Sequence, residues 1–280
     1  MPRFTTSDGI SIHYEEAGQG LPILCLSGLT RNARDFDFVA PQLAGYRMIR
    51  MDYRGRGKSD WVADYHSYNV LREGQDALEL LDHLGIAKAA ILGTSRGGII
   101  AMGLAKVAKD RLLGVCLNDI GPELVAEGLG VIMDYLGKQP DAPDLATLAR
   151  ARKADMDQTF PGVPLERWRE EVGNTHVRVP EGVRLSYDPK LRDAMLESDA
   201  ANPPDLWPYF DAIAPLPCAV IHGVNSDLLS ADTVAEMQRR NPDLIVAHVA
   251  DRAHIPFLDE PEARAAIGQW LTQLEQGETE

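Results

Sequence analysis

The chain has 280 residues, of which 45% are hydrophobic and 25% charged, a composition that supplies a sizeable core and favours a soluble globular protein over a disordered one. Because 42 Asp and Glu residues outnumber 28 Lys and Arg residues, the formal charge is -14, opposite in sign to what phosphate-backbone binding needs, and a nucleic-acid partner is disfavoured. The length alone is compatible with either one domain or two.

The first half of the chain alternates apolar, strand-like runs with amphipathic helical stretches. A hairpin is predicted within residues 4–15, with its turn at Asp8-Gly9. Further strands are predicted at 23–27, 47–52, 89–93 and 113–118, and helices at about 70–84 and 96–106. Strands that alternate with helices predict a mostly parallel sheet, covered by helices on both faces, in an α/β fold.

The pattern changes between residues 121 and 217, where strand-like runs are lacking and Pro and charged residues are frequent. Helical segments are predicted there at 145–156 and 165–172. The alternation then resumes, with predicted strands at 218–222 and 244–249 and predicted helices at about 231–240 and 261–274. We expect one core domain formed by residues 1–120 and 218–280, interrupted by a helical insertion at 121–217.

No stretch of the sequence predicts a membrane span, since the longest apolar run, around residues 97–105, stops at Lys106. The first residues lack the continuous apolar segment of a secretory signal, which predicts a cytoplasmic protein. Cys25, Cys116 and Cys218 each lie in a strand-like apolar run without CxxC spacing. Buried structural thiols are therefore expected, and neither a disulfide nor a metal site is.

Residues 93–98 read Gly-Thr-Ser-Arg-Gly-Gly and place a G-x-S-x-G pattern between a predicted strand and a predicted helix. A nucleophilic serine at such a junction sits on a tight, strained turn, and Gly93 and Gly97 leave room for backbones that a Cβ would otherwise fill. Ser95 is therefore the predicted nucleophile. The alternative is a glycine-rich turn that holds an incidental serine.

A serine hydroxyl is a weak nucleophile without a base that removes its proton and a third group that orients the base. Among seven histidines, His254 is the predicted base, because it follows the last predicted strand, on the loop edge where strand ends present functional groups. The acid is expected between Ser95 and His254 in the chain. Asp227, just beyond the strand at 218–222, is favoured, and Asp119 is its competitor.

At this point the chain resembles the α/β-hydrolase superfamily, and the resemblance covers nearly its whole length. Residues 52–60 read Asp-Tyr-Arg-Gly-Arg-Gly-Lys-Ser-Asp and are similar to the D-x-R-G-x-G-x-S motif of that family. Glycines there permit a tight turn after a strand, so the motif is expected to be structural. The loops that carry Asp227 and His254 likewise match the acid and base loops of the family.

The family often has His-Gly after the strand that ends here at Ser27, whereas this chain continues Gly-Leu. An oxyanion hole needs backbone N–H donors, so the missing histidine does not abolish it. By resemblance, the donors would be the backbone N–H groups of Leu29 and Arg96. The Arg96 side chain is expected to pair with the Asp119 carboxylate, and binding of a substrate carboxylate is the alternative.

The resemblance also implies that the insertion at 121–217 is a helical cap or lid, which covers the triad and shapes the substrate pockets. Five aromatic residues are candidate substrate-binding residues: Trp168, Tyr187, Trp207, Tyr209 and Phe210. Ordinary core packing is the alternative for each of them, because aromatic side chains are large core-filling groups in any case.

The predicted function is hydrolysis of a carboxylic ester or lactone of a small molecule through an acyl-enzyme on a Ser-His-Asp triad, with no metal or organic cofactor implied. A serine nucleophile disfavours the haloalkane dehalogenase and epoxide hydrolase branches, which use Asp. Carbon-carbon bond hydrolysis and cofactor-free perhydrolysis are compatible with the same triad. A hydrolase-like ligand receptor in signalling is an alternative of another class. No membrane partner is expected, and the oligomeric state is left open.

Overall fold

A computed structural model of the chain describes residues 2–198 and 204–277. The strands of these ranges are β1 (Arg3–Thr5), β2 (Ser11–Ala17), β3 (Pro22–Leu26), β4 (Arg47–Met51), β5 (Ala89–Thr94), β6 (Leu112–Asn118), β7 (His176–Val179), β8 (Gly182–Leu185), β9 (Cys218–Gly223) and β10 (Ile245–Val249). The helices are α1 (Val70–His83), α2 (Arg96–Val107), α3 (Ala126–Tyr135), α4 (Leu145–Met156), α5 (Leu165–Thr175), α6 (Leu191–Glu197), α7 (Trp207–Ile213), α8 (Ala231–Arg240) and α9 (Pro261–Gly277).

Eight strands form one sheet in the order β1-β2-β4-β3-β5-β6-β9-β10. β2 is antiparallel to both β1 and β4, and the pairs from β4 onward along the sheet are parallel. The predicted α/β class, with a mostly parallel sheet and an early hairpin, is confirmed. Because parallel strands end at the same edge of a sheet, the loops after β3, β5, β6, β9 and β10 meet there.

The core consists of two apolar layers, one on each face of the sheet. Along β3, Leu24 and Leu26 enter the layer that contains Leu80 of α1 and Ile100 of α2. The alternate residues of β3 enter the opposite layer, which contains Trp270 of α9. This alternation of side chains follows from the two-residue period of a strand and explains why buried parallel strands appear in the sequence as continuous apolar runs.

The three cysteines are buried and free, as predicted. Burial raises the pKa of the Cys218 thiol to about 12. Since the thiolate is the reactive form of cysteine, burial favours the less reactive form of this thiol. In the described ranges, no helix combines the length and the apolar character that crossing a bilayer requires.

The segment between β6 and β9 contains α3 to α7 and also a small antiparallel hairpin of β7 and β8. The expectation that this segment lacks strands is wrong at the hairpin. Each of its strands has only four residues, and only two of those four are apolar, which is too short a pattern to separate from a loop. A β-bridge between Arg56 and Tyr187 ties the end of the hairpin to the loop after β4.

Candidate active site

Ser95 lies at the junction of β5 and α2 with a φ of 50° and a ψ of -116°, a strained backbone conformation for a residue with a side chain. The flanking glycines have the predicted role. A Cβ on Gly97 would lie 1.9 Å from the carbonyl oxygen of Leu26, and one on Gly93 would lie 2.7 Å from the Gly97 backbone. The tight turn therefore projects Ser95 from the sheet edge and depends on both glycines.

His254, in the loop after β10, lies beside Ser95. The Nε2 atom of His254 is 3.0 Å from Ser95 Oγ, and its Nδ1 atom is 2.7 Å from Oδ2 of Asp119. Because an ionised carboxylate can only accept hydrogen bonds, we assign the proton to Nδ1. This tautomer leaves Nε2 free to accept the hydroxyl proton of Ser95, which is the arrangement that a general base requires.

Asp119, and not Asp227, is the carboxylate that contacts His254. Asp119 follows β6 directly and is fully buried. Its Oδ1 atom accepts the backbone N–H of Gly223 at 2.8 Å, and Oδ2 accepts the Ser226 hydroxyl at 2.6 Å as well as His254. The prediction of Asp227 as the orienting acid is wrong, since this residue lies on the wall of the adjacent cavity.

Sheet register explains this placement of the acid. Thr94 of β5 is paired with Asn118 of β6, so that the next residue of each strand, Ser95 or Asp119, begins a neighbouring loop. The Ser95 backbone N–H also donates to the Asn118 carbonyl at 3.0 Å. The loop after β9 approaches the carboxylate from the other side and presents the hydroxyl of Ser226 to it.

The two predicted oxyanion donors, Leu29 and Arg96, belong to the loop after β3 and to the start of α2. Leu29 lines the cavity beside Ser95, and Arg96 is the first residue of α2. Within residues 2–198 and 204–277, neither backbone N–H donates to a protein acceptor. Their role as an oxyanion hole stays a prediction, and their free donors are what that role needs.

The side chain of Arg96 does not contact Asp119, so the predicted pairing is wrong. Its Nε atom donates to Glu73 of α1 at 2.5 Å, and its Nη2 atom donates to the Tyr68 carbonyl at 3.2 Å. Glu73 is fully buried and also pairs with Arg56 at 2.7 Å. Asp119 thus has three donors and no guanidinium, whereas the buried Glu73 carboxylate pairs with two guanidinium groups, those of Arg56 and Arg96.

A cavity of about 330 Å³ opens beside Ser95 and His254. Trp168 lies on its wall, as predicted, and a second cavity of about 320 Å³ is lined by Tyr187. The other three candidate substrate-binding residues, Trp207, Tyr209 and Phe210, line neither cavity. They belong to α7, which packs against α2 and the main core. For these three aromatic residues the packing alternative is correct.

The sequence interpretation missed a cluster of charged side chains in the cavity walls. The two cavities share six lining residues: Thr30, Arg31, Tyr135, Arg152, Asp155 and Glu171. Arg31 donates to Asp35 at 2.5 Å and to Glu171 at 3.1 Å. Desolvation by burial raises the pKa of the Asp35 carboxyl, and Arg31 opposes that rise. The sequence could have indicated this charged wall, because Arg31 lies two residues after Leu29, a predicted oxyanion donor.

Comparison with known proteins points to one family. The family model described as "Alpha/beta hydrolase family" matches residues 23–267. A 3-hydroxybutyrate-oligomer hydrolase of Cupriavidus necator is 36% identical over 261 residues, which are 89% of this chain and 88% of that protein. A 2-(acetamidomethylene)succinate hydrolase of Mesorhizobium japonicum is 26% identical over 255 residues, covering 90% of this chain and 88% of the relative.

Among solved structures, the crystal structure of an alpha/beta hydrolase from Novosphingobium aromaticivorans has a TM-score of 0.91 and 37% identity, and the match covers 97% of each chain.

In the described part of this chain, no three His, Cys, Asp or Glu side chains are grouped as a metal site would need.

Proposed function

This chain belongs to the alpha/beta hydrolase family, and on that premise we propose that it hydrolyses a carboxylic ester of a small hydroxyacid through an acyl-enzyme on Ser95. One observation carries the proposal. The side chains of Ser95, His254 and Asp119 form an unbroken line of hydrogen bonds at the wall of a cavity. This is the arrangement of nucleophile, general base and orienting acid that acyl transfer requires.

In the first half of the reaction, Ser95 Oγ attacks the ester carbonyl while His254 Nε2 takes the hydroxyl proton. The imidazolium that forms is stabilised by the Asp119 carboxylate, which is held at Nδ1. The carbonyl oxygen becomes an oxyanion, and the backbone N–H groups of Leu29 and Arg96 donate to it. One such donor contributes about 2.7 to 4 kcal/mol in an acyl-transfer enzyme.

Collapse of this intermediate breaks the bond between the carbonyl carbon and the ester oxygen, and His254 gives its proton to the departing alkoxide. The products of this step are an alcohol and the acyl-enzyme. Water then attacks the Ser95 ester with His254 again as base, which releases the carboxylic acid and restores the serine hydroxyl. The Asp119 carboxylate remains ionised throughout.

The substrate class rests on the relatives and on the cavity. The Cupriavidus necator relative is named for oligomers of 3-hydroxybutyrate, whose units are joined by ester bonds. A cavity of about 330 Å³ is at the lower end of the range for small-molecule sites and suits a short acyl unit. The first point supports an ester of a small hydroxyacid over the carbon-carbon and perhydrolysis reactions that the same triad permits, and the second supports a short acyl unit.

The test combines labelling with turnover. We expect a fluorophosphonate probe to label the folded protein stoichiometrically, and p-nitrophenyl butyrate and the linear 3-hydroxybutyrate dimer to be hydrolysed. Ser95→Ala should abolish labelling and turnover. Ser198→Ala is the matched control, because its hydroxyl is exposed and, among the described residues, donates to the nearby Met195 carbonyl. Folded wild-type protein that neither takes the label nor cleaves any ester of a short- and long-chain panel would overturn the proposal.

A further inference from the structure

Arg152 of α4 lies on the wall shared by the two cavities. Its side chain is 31% exposed, and its closest carboxylate oxygen is Oε1 of Glu171, at 3.8 Å. This separation is too long for a hydrogen bond. No acceptor in the described ranges takes a hydrogen bond from the Arg152 guanidinium, which therefore presents unused donors to the space where a ligand would bind.

Arg31, the other arginine of this wall, differs in having its charge already matched. It makes hydrogen bonds to both Asp35 and Glu171, and its side chain is 22% exposed. An additional carboxylate at Arg31 would lie close to these two carboxylates and would be repelled by both. Of the two guanidinium groups in the shared wall, Arg152 is the one that makes no hydrogen bond to a described carboxylate.

Glu171 of α5 is the nearest described carboxylate to Arg152. The side chain of Glu171 is 4% exposed, and its Oε1 atom already accepts from Arg31 at 3.1 Å, while Oε2 is buried without a hydrogen-bond partner. Its negative charge attracts Arg152 toward the wall at a distance where the guanidinium keeps its freedom to turn. The other carboxylates on these walls are Asp134, Asp155 and Asp227. Asp134 and Asp155 are exposed, so solvent screens their charges, and Asp227 is half-buried.

We propose that Arg152 binds a free carboxylate of the substrate, so that the enzyme selects anionic esters over neutral ones. The scissile carbonyl lies at Ser95 in the first cavity, and the free carboxylate reaches the wall between the two cavities. A planar guanidinium suits a carboxylate because it can donate two parallel hydrogen bonds to it. Cleavage of such a substrate rests on the proposed function, whereas carboxylate binding can be tested without it.

The binding test uses Ser95→Ala protein, the linear dimer of 3-hydroxybutyrate as the anionic probe and its methyl ester as the neutral one. Calorimetry should show the dimer binding about tenfold to 100-fold more tightly than the methyl ester. The double variant Ser95→Ala, Arg152→Met should bind the two probes alike. Arg150→Met, placed in the same background, is the matched control, since Arg150 is an exposed arginine of α4 that contacts Thr147 and lines neither cavity.

A turnover test separates this inference from the proposed function. In active protein, Arg152→Met should lower kcat/KM for the dimer by about tenfold to 100-fold, the factor expected in the binding test. It should leave kcat/KM for the methyl ester within about threefold of the wild-type value. Arg152→Lys, which keeps the charge, should restore part of the preference and also serves if the methionine variant does not fold.

Equal binding of both probes to Ser95→Ala protein, or a preference that survives loss of the Arg152 guanidinium, would overturn the inference. A preference that depends on Arg152 in a protein that cleaves no ester would support carboxylate binding and contradict only the proposed hydrolysis.

Discussion

The hydroxyl of Ser226 donates a 2.6 Å hydrogen bond to Oδ2 of Asp119, the same oxygen that accepts the Nδ1–H of His254. The other oxygen, Oδ1, accepts the backbone N–H of Gly223. The loop after β9 thus supplies two donors to a carboxylate that comes from the end of β6. These donors fix the direction from which the carboxylate meets the imidazole, so the two strand ends act together to orient the His254 ring.

Exchange of each aspartate for asparagine should distinguish Asp119 from Asp227. Asp119→Asn removes the charge that stabilises the imidazolium and can turn an N–H toward Nδ1, which favours the wrong tautomer of His254. We expect kcat for p-nitrophenyl butyrate to fall by about 10³- to 10⁴-fold. Asp227→Asn is the matched control and should keep kcat within about tenfold. A larger loss in the Asp227 variant would contradict the placement of the acid at Asp119.

Ser226→Ala should lower kcat less than Asp119→Asn does. The change removes one donor from Asp119 and also the acceptor for the Leu228 and Leu229 amides. Loss of a hydrogen bond to a charged group should lower the free energy of unfolding by about 1.5 to 3 kcal/mol, measured by urea denaturation. We expect kcat to fall about tenfold with little change in KM. Ser226→Thr, which retains the hydroxyl, should behave more like the wild type, and equal losses in both variants would contradict this role.

The strands and helices of the core could be predicted from the sequence because their patterns are strong and local. α4 has the predicted bounds of 145–156, and the structure extends the strand predicted at 89–93 by one residue, to Thr94. Buried parallel strands form continuous apolar runs, and helices place apolar residues on one face. The hairpin of β7 and β8 was missed because each of its strands has only two apolar residues.

Chain order alone does not tell which carboxylate contacts His254. Ser226 and Asp227 are neighbours in one loop, and the conformation of that loop decides which of them faces the sheet edge and which faces the cavity. The sequence did carry a signal for Asp119. It directly follows the strand after that of Ser95, and consecutive parallel strands joined by one helix commonly lie side by side. Strand adjacency was therefore a better guide than the similarity of a loop motif.

Arg96→Met tests whether this arginine binds substrate or supports the turn after Ser95. Its guanidinium is committed to the buried Glu73, so removal leaves that carboxylate with Arg56 as its remaining cationic partner. We expect the free energy of unfolding to fall by about 3 kcal/mol in urea denaturation. The ratio of kcat/KM for the 3-hydroxybutyrate dimer to that for its methyl ester should stay within about twofold of the wild type. A selective loss toward the anionic substrate would assign carboxylate binding to Arg96 instead.

Alanine substitutions at two glycines of α2, Gly97 and Gly103, should change the stability of the protein in opposite directions. A Cβ at Gly97 would lie 1.9 Å from the Leu26 carbonyl oxygen, so Gly97→Ala must displace β3 or the helix start. We expect a loss of more than about 3 kcal/mol of stability, together with lost labelling of Ser95. Gly103→Ala meets no atom within 4 Å and should raise stability by about 0.5 to 1 kcal/mol. Thermal unfolding measures both, and a tolerated Gly97→Ala would contradict the packing of the turn.

Replacement of Trp168 or Trp207 by leucine tests which of the two side chains limits the size of the acyl group. Trp168 lines the first cavity and packs edge-to-face against Phe160 and Phe257. Trp168→Leu enlarges that cavity, so the ratio of kcat/KM for p-nitrophenyl octanoate to that for the acetate should rise about tenfold. Trp207, which packs against Phe210 and under the Arg240 guanidinium, lies outside both cavities. Trp207→Leu should leave this ratio unchanged in folded protein, and an equal shift in both variants would show that general loosening of the fold, and not the cavity wall, sets acyl selectivity.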